Sequence, residues 1–351
     1  MRGLVRVPRI LYANSIFSCF PLYSNQIHGK LTPQSPYGLF LLCQHSAGGL
    51  MTYKEFKYQL RKELKERFPS GTSITIQQIS HNNDQTEEAL TILEPGLNIS
   101  PTIYLGAYFQ QLEKQIPMSS IITQIYNYYL EHRSLHSIDT SFFTCFDNIR
   151  PRIVYKLVHQ EKNKELLKEV PWIPYLDLAI VFYCLLSKSP TENASVLIRN
   201  EHLCYWNVSV GDLLSLAQKN TPFLLSSCCD SLTELLLPVL KQLPARKETE
   251  NDFASASMVP MYVLTNQQRF LGACCILYDD VLKEIAERLD CDLYILPSSI
   301  HEVILMPATV TESALSLSQM VCDINRSEVS PEEILSDHIY YYHRTTDSIT
   351  M

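Results

Sequence analysis

The sequence predicts an α+β fold, with mixed, largely antiparallel sheets and helices packed against them. Three observations predict it. Strand-like and helix-like stretches alternate irregularly, without the regular β-α-β rhythm of a parallel sheet. Several strand candidates are separated by short polar turns, which is hairpin spacing. Hydrophobic residues make up 46% of the 351-residue chain against 19% charged, so a sizeable core is available and global disorder is excluded.

The first clear element follows Thr52. Tyr53, Phe56, Leu60, Leu64 and Phe68 fall on one helical stripe, with Lys and Glu elsewhere, and Pro69-Ser70-Gly71 stops it. Ser73–Ile79 alternates as a strand, His81–Asp84 is a turn, and Glu88–Leu93 is a second strand. Leu105, Tyr108, Phe109 and Leu112 mark a helix, and Ser119–His132 another, through Ile121, Ile122, Ile125, Tyr128 and Tyr129. Arg152–Val158 reads as a strand and His159–Lys168 as a charged helical stretch. Pro171-Trp172-Ile173-Pro174 reads as a rigid connection. Leu178–Leu186 is unbroken apolar sequence, which predicts a central strand buried on both faces, paired with Ser195–Arg199. Ser209 caps a helix, and Asp230–Gln242 forms one more.

From Met261 to Pro307 the pattern is strand, turn, apolar segment, helix, strand, tight loop, strand. Thr311–Arg326 is amphipathic. Ser330-Pro331-Glu332-Glu333 has the signature of a helix start, and Asp337–His343 reads as a closing strand. The organisation that results is a leader over 1–50, an N-terminal α/β region over 51–145 and a central α+β region over 146–243. A small, polar, proline-bounded flexible linker covers 244–260, and a C-terminal α+β region covers 261–351.

Residues 1–50 differ in kind. They hold Arg2, Arg6, Arg9 and Lys30, no acidic residue and no clear period. ILYANSIFSCF is too broken for a signal-peptide core. The expectation is a mis-annotated or disordered leader, with translation starting at Met51. The whole chain carries −8, so the remaining residues carry −12. An acidic body is a poor partner for nucleic-acid phosphates, so no nucleic-acid binding is expected. No segment is long and apolar enough for a bilayer, so no membrane partner is expected. With only 10 glycines the chain has neither GxGxxG nor GxxxxGK[ST], and no cofactor is expected. The 11 cysteines show no CxxC and no zinc spacing. Cys184 and Cys274-Cys275 lie in apolar runs, which predicts reduced, structural thiols and a cytoplasmic location.

NISPTIYL, IVYKLVHQEKNKELL, LDLAIVFYCLL, LIRNEHL, MYVLTN, GACCILYDDVLKEIAERL, DLYILPSSIHEVIL and LSDHIYYY, in this order, resemble DUF5688, an uncharacterised family of gut clostridia and related Firmicutes. The resemblance covers about residues 51–350. It implies no activity, substrate, cofactor or catalytic residue. Members begin at the helix that starts here at Met51, and Cys274-Cys275 stand where the family usually has small apolar residues.

The sharpest chemical cluster is Ser298, Ser299, His301 and Glu302, the polar interruption between two apolar strands. A serine nucleophile needs a base in reach and an acid to orient it. Ser299, His301 and Glu302 are the right types, but neighbours on a strand point to opposite faces, so Glu302 cannot orient His301 locally. The plainer reading is a turn whose serines and imidazole satisfy backbone groups. Pro297 should end the first strand. One of His301 and Glu302 should point inward to a partner, with Arg269, Asp337 and His338 the candidates. Asp337 and His338, with His343, would complete a metal site only if they met His301 and Glu302 in space; two unrelated surface pairs are the plainer reading. Glu161–Glu165 holds an acid and a lysine, without the preceding acid a nuclease needs, and reads as a solvated helix face. Asp177, and Arg199 to His202, lie at ends of buried strands, where clefts form.

The function expected from these readings is a binding or interaction module for a protein partner or small ligand, using Ser298, Arg269, Asp337 and His338. The alternative is a hydrolase or metal-dependent enzyme built on Ser299, His301 and Glu302.

Overall fold

The structure, a computed structural model, describes residues 51–133, 141–185, 195–235, 260–309 and 313–351. The expectations for the first fifty residues and for the 244–260 linker lie outside them. The described residues fall into two compact units, divided between Thr144 and Cys145.

The first unit begins with helix α1 (Tyr53–Arg67). Thr52 caps it: its hydroxyl accepts from Glu55 N at 3.3 Å, while the Glu55 carboxylate accepts from Thr52 N at 2.8 Å. That reciprocal pair satisfies two otherwise orphaned backbone donors. Strands β1 (Ser73–Ser80), β2 (Thr86–Leu93) and β3 (Thr102–Tyr104) form an antiparallel sheet in that order. Helices α2 (Gly106–Glu113) and α3 (Met118–His132) follow. Phe56, Leu60 and Leu64 of α1 pack with Leu90, Ile92, Ile103, Ile121, Ile122, Ile125 and Tyr129 in one core. The stripe read for α1 is its buried face, as are Ile121, Ile122, Ile125 and Tyr129 of α3, while Tyr128 is exposed and α2 is only partly buried.

The second unit carries two further antiparallel sheets. In one, β4 (Ile153–His159) pairs with β6 (Leu178–Leu185), whose other edge carries β5 (Trp172–Tyr175) and β7 (Ser195–Leu197). β6 is buried along nearly its whole length, as its unbroken apolar sequence requires. Helix α4 (Lys164–Glu169) follows β4, and α5 (Asn200–Trp206) follows β7. The outer edge of β4 is closed by helix α6 (Val210–Leu224). Thr221 Oγ1 accepts from Tyr155 N at 3.2 Å, and Asn220 Nδ2 donates to Ile153 O at 3.0 Å. Side chains thus occupy backbone groups that an edge strand would otherwise leave open.

The Pro171–Pro174 connection is instead strand β5. Pro174 faces Ala179 across the pair, and a proline is tolerated in an outer strand where its missing donor is not needed. A two-residue turn, Leu176-Asp177, joins β5 to β6. Leu176 holds a left-handed backbone at φ 55, an uncommon and costly state for a branched residue.

The largest sheet has the order β13-β12-β10-β11-β9-β8. Its strands are β8 (Ser227–Ser231), β9 (Tyr262–Asn266), β10 (Leu293–Ser299), β11 (Glu302–Pro307), β12 (Tyr340–His343) and β13 (Ser348–Thr350). β8, from ahead of 244–260, pairs with β9 from beyond it. Between β9 and β10 lie a 3₁₀ segment, Gly272–Leu277, and helix α7 (Val281–Leu289). Helix α8 (Ala314–Ser327) packs Leu317 and Val321 against Met261, Val263, Leu296, Ile304 and Met306 of the sheet.

Two further local expectations are corrected. Pro297 does not end β10: the strand runs on to Ser299, with a register shift between Pro297 and Ser299. A bulge is where a strand accommodates a residue without N–H. Ser330–Glu333 starts no helix. It is a turn closed by Glu333 N donating to Ser330 O at 2.8 Å.

The nine described cysteines are free thiols, and Cys184, Cys274 and Cys275 are buried. No helix among the described residues is long and apolar enough to cross a membrane.

Candidate functional site

The β10–β11 hairpin tip is closed in on itself. His301 is 8% exposed. Its Nδ1 accepts from Leu271 N at 3.1 Å, and its Nε2 lies 3.3 Å from Glu333 Oε1. Ser299 Oγ accepts from His301 N at 3.0 Å, and Thr265 donates to His301 O at 2.7 Å. Ser299 is itself buried, so its hydroxyl caps the turn rather than facing solvent. Glu302 lies on the return strand. Burial raises its carboxyl above the ordinary value, and the Arg269 charge partly offsets this. Arg269 also reaches Asp230 at 3.4 Å. Gly272 is wedged beneath the tip: a Cβ there would lie 2.7 Å from His301 O and 2.3 Å from Thr265 Oγ1. Only a residue without a side chain fits so close an approach.

Ser298 lies beside this tip on a different surface. With Met261, Leu296, Ile304, Met320 and Asn325 it lines a cavity of about 20 Å³ between the sheet and α8. The lining is almost wholly apolar.

A second polar group forms around Asp177. The β5–β6 turn brings this carboxylate to the 336–340 segment. Ser336 donates to Asp177 Oδ2 at 2.6 Å and Tyr340 donates to Oδ1 at 2.7 Å; His338 Nδ1 lies 3.1 Å from Oδ2. Burial acts to raise the Asp177 carboxyl, but the hydrogen bonds from Ser336, Tyr340 and His338 outweigh it and hold it below the ordinary value. Asp337 turns the other way. It pairs with Lys162 at 2.9 Å and accepts from Asn325 Nδ2 at 2.8 Å. Burial raises its carboxyl as well, and the bonds from Asn325 and Lys162 bring it below the ordinary value. His159 completes the group: its Nδ1 accepts from Lys162 N at 3.3 Å. Burial and the Lys162 charge lower its pKa, so it favours the neutral form.

The exposures of these groups differ. The Asp177 side chain is 14% exposed and the His338 ring 57%. Lys162 and Asp337 are 35% and 41% exposed. With Asp177 ionised, the proton of a neutral His338 ring sits on Nδ1, and Nε2 presents a lone pair. No described residue bonds that Nε2.

The family model described as "Family of unknown function (DUF5688)" matches residues 53–344. The chain belongs to this family. No curated protein matches the chain, and no solved structure matches it.

In this DUF5688 chain the residues singled out from the sequence divide into separate places. Ser299 and His301 stand at the hairpin tip, with Glu302 and Arg269 beside them, and Ser298 lines the cavity. Asp337 and His338 belong to the Asp177 group, and His343 meets Thr350 at 3.1 Å. Among the described residues no group of three or more His, Cys, Asp or Glu side chains is arranged to hold a metal ion. Arg199 to His202 forms the start of α5, where His202 Nδ1 accepts from Arg199 N at 2.9 Å. Of Glu161–Glu165, Glu161, Lys164 and Glu165 form a solvated face, with Lys164 on Glu161 and Lys168 on Glu165, while Asn163 is buried and Lys162 pairs with Asp337. Sequence reading missed Glu333, Asn325, Ser336 and His159. It noted Asp177 only as a strand end, although a lone acid ahead of nine apolar residues is a usable signal.

Proposed function

We propose that this chain is a binding module whose ligand docks on the Asp177–His338–Asp337–Lys162 surface. The observation that carries the reading is the His338 ring, exposed yet fixed in direction by a buried carboxylate. A solvent-facing imidazole gains little stability from being aimed, whereas a binding group gains affinity from pre-organisation. The strained Leu176 backbone beside Asp177 supports the same reading, because such strain concentrates at functional sites. The chemistry offered is the Lys162 ammonium paired to the Asp337 carboxylate, with one imidazole nitrogen of the adjoining His338. It suits a small polar ligand, or a polar side chain of a protein partner, with both an acceptor and a donor.

A second reading is an enzyme in which His338 Nε2 takes a proton from water or a substrate hydroxyl. The Asp177-fixed tautomer favours it. Binding is preferred because His338 Nε2 meets no serine, threonine or cysteine among the described residues.

The test is a thermal-shift screen of the wild type and of His338→Ala against small carboxylates, phosphate esters, amines and short peptides. Unliganded His338→Ala should melt near the wild type, and ligands that stabilise the wild type should lose their effect on the variant. Ligands that stabilise both proteins equally would place the site elsewhere.

A further inference from the structure

The outer edge of β1 stands out in the first unit. β1 is eight residues long and lies at the end of its sheet. It pairs with β2 in an unbroken register from Ser73↔Leu93 to Ser80↔Thr86. The direction of each backbone group follows from two contacts. Beyond the strand, His81 N donates to Gln85 O at 2.7 Å, so odd-numbered residues face β2. At the other end Arg61 donates to Ile74 O at 3.2 Å from outside the sheet, so even-numbered residues face away. The N–H and C=O groups of Ile76, Gln78 and Ser80 therefore point off the edge. Apart from the Arg61 bond, no hydrogen bond of the described residues reaches this row.

Natural sheets guard such edges with lysines, prolines, bulges, short strands or a covering helix. In the second unit, α6 covers β4 and β5 contains a proline. Among the described residues β1 has neither device. SITIQQIS holds no charge and no proline, and its register has no bulge. Within a body of strongly negative sequence this strand is a neutral, hydrogen-bonding row.

We infer that β1 is a homotypic interface: two copies of this chain pair β1 to β1 antiparallel, joining two three-stranded sheets into one of six strands. The geometry selects the register. An antiparallel partner must set outward-facing residues opposite outward-facing residues. A two-fold axis at Gln77 does this for all four: Ile74 meets Ser80 of the other copy and Ile76 meets Gln78. Centring on Ile76 or Gln78 leaves one of the four without a partner. In the Gln77 register Thr75 faces Ile79, and the two Gln77 amides face each other, where each can donate to the other. No like charges meet. A second copy is favoured over a foreign peptide because this register matches the outward groups of both strands, with Ile74 O, which has two lone pairs, shared between Arg61 and Ser80 N of the other copy.

The test uses the full chain and analytical ultracentrifugation across the micromolar range. Gln77 is exposed, and its side chain makes none of the hydrogen bonds described for this sheet. Gln77→Lys and Gln77→Glu should therefore fold normally, with circular dichroism and melting like the wild type's at concentrations where the wild type is monomeric. The wild type should dimerise reversibly. Each variant alone should be monomeric where the wild type is dimeric, because like charges oppose across the axis. An equimolar mixture of the two variants should regain the dimer. A wild type monomeric throughout the range overturns the inference. So does a Gln77→Lys protein as dimeric as the wild type, or a mixture that stays monomeric.

Discussion

Asp177→Ala removes one carboxylate and leaves three donors behind. Two of them, the Ser336 and Tyr340 hydroxyls, belong to residues with no exposed surface. Each loses its bond to Asp177, at 2.6 and 2.7 Å respectively. An unsatisfied buried donor costs about 1–3 kcal/mol, so the two together should cost about 2–6 kcal/mol. The His338 bond is exposed at its far side and adds little. Against a total stability of about 5–15 kcal/mol this is a large fraction. Urea unfolding followed by tryptophan fluorescence should show a lower midpoint with an unchanged slope. The variant should also lose an acid-sensitive component. The folded Asp177 value lies below the ordinary one, so its contribution is complete above the ordinary Asp pKa of about 3.9 and is lost as pH falls through the folded value. Adding Tyr340→Phe removes one orphaned hydroxyl. It should therefore cost less in the Asp177→Ala background than in the wild type, by about 1 kcal/mol or more. An Asp177→Ala midpoint within experimental error of the wild type, or strictly additive costs, would refute this account of the network.

Gly272→Ala should lower the urea midpoint sharply, because its Cβ would fall 2.7 Å from both Asn266 N and His301 O, backbone atoms that cannot swing aside; a near-native midpoint would mean that the tip relaxes freely. His301→Ala should destabilise by about 2–3 kcal/mol, because Leu271 N and the Glu333 carboxylate each lose their imidazole partner. Loss of ligand binding with stability intact would return the hairpin tip to the functional surface. His159 has a folded pKa below its ordinary value, so stability should decline as pH drops below about 6.5. His159→Gln should flatten that slope, and an identical pH profile in the variant would contradict it. Cys184, Cys274 and Cys275 are buried, and burial raises the thiol pKa to about 11 at Cys184 and about 12 at Cys274. A thiol reagent should label these three slowly in the native protein and quickly after unfolding, while exposed Cys145 and Cys204 react at once.

Elements that carry their own signal were legible. The stripe of α1, the Ser209 cap of α6 and the unbroken apolar run of β6 each express one local rule, and each forms as read. β5 was hidden because Pro171 and Pro174 argue against a strand, and because Leu176 is not a usual turn residue; pairing to β6 overrides both. β8 was hidden because Ser227–Ser231 has no apolar alternation. The Ser330–Glu333 helix signature failed because Glu333 is drawn to His301 and does not cap a helix. The candidate site was the least legible part. The Asp177 bonds join residues 159 to 163 positions apart, and no local pattern encodes a partner at that distance.

That separation also orders events during synthesis. Asp177 emerges from the ribosome with β5 and β6, yet its hydroxyl donors are made more than 150 residues later. Until then the turn holds a carboxylate whose partners do not exist, beside a strained leucine. β12, from the same late segment, is an inner strand of the largest sheet and must seat between β10 and β13. Contacts this distant in sequence form slowly, because the chain between them must first be gathered in. The nascent second unit is therefore a waiting structure, with β10 an open edge until the last residues arrive. Ribosome pausing ahead of residue 336 would prolong that exposure, and a holding chaperone would find its substrate there.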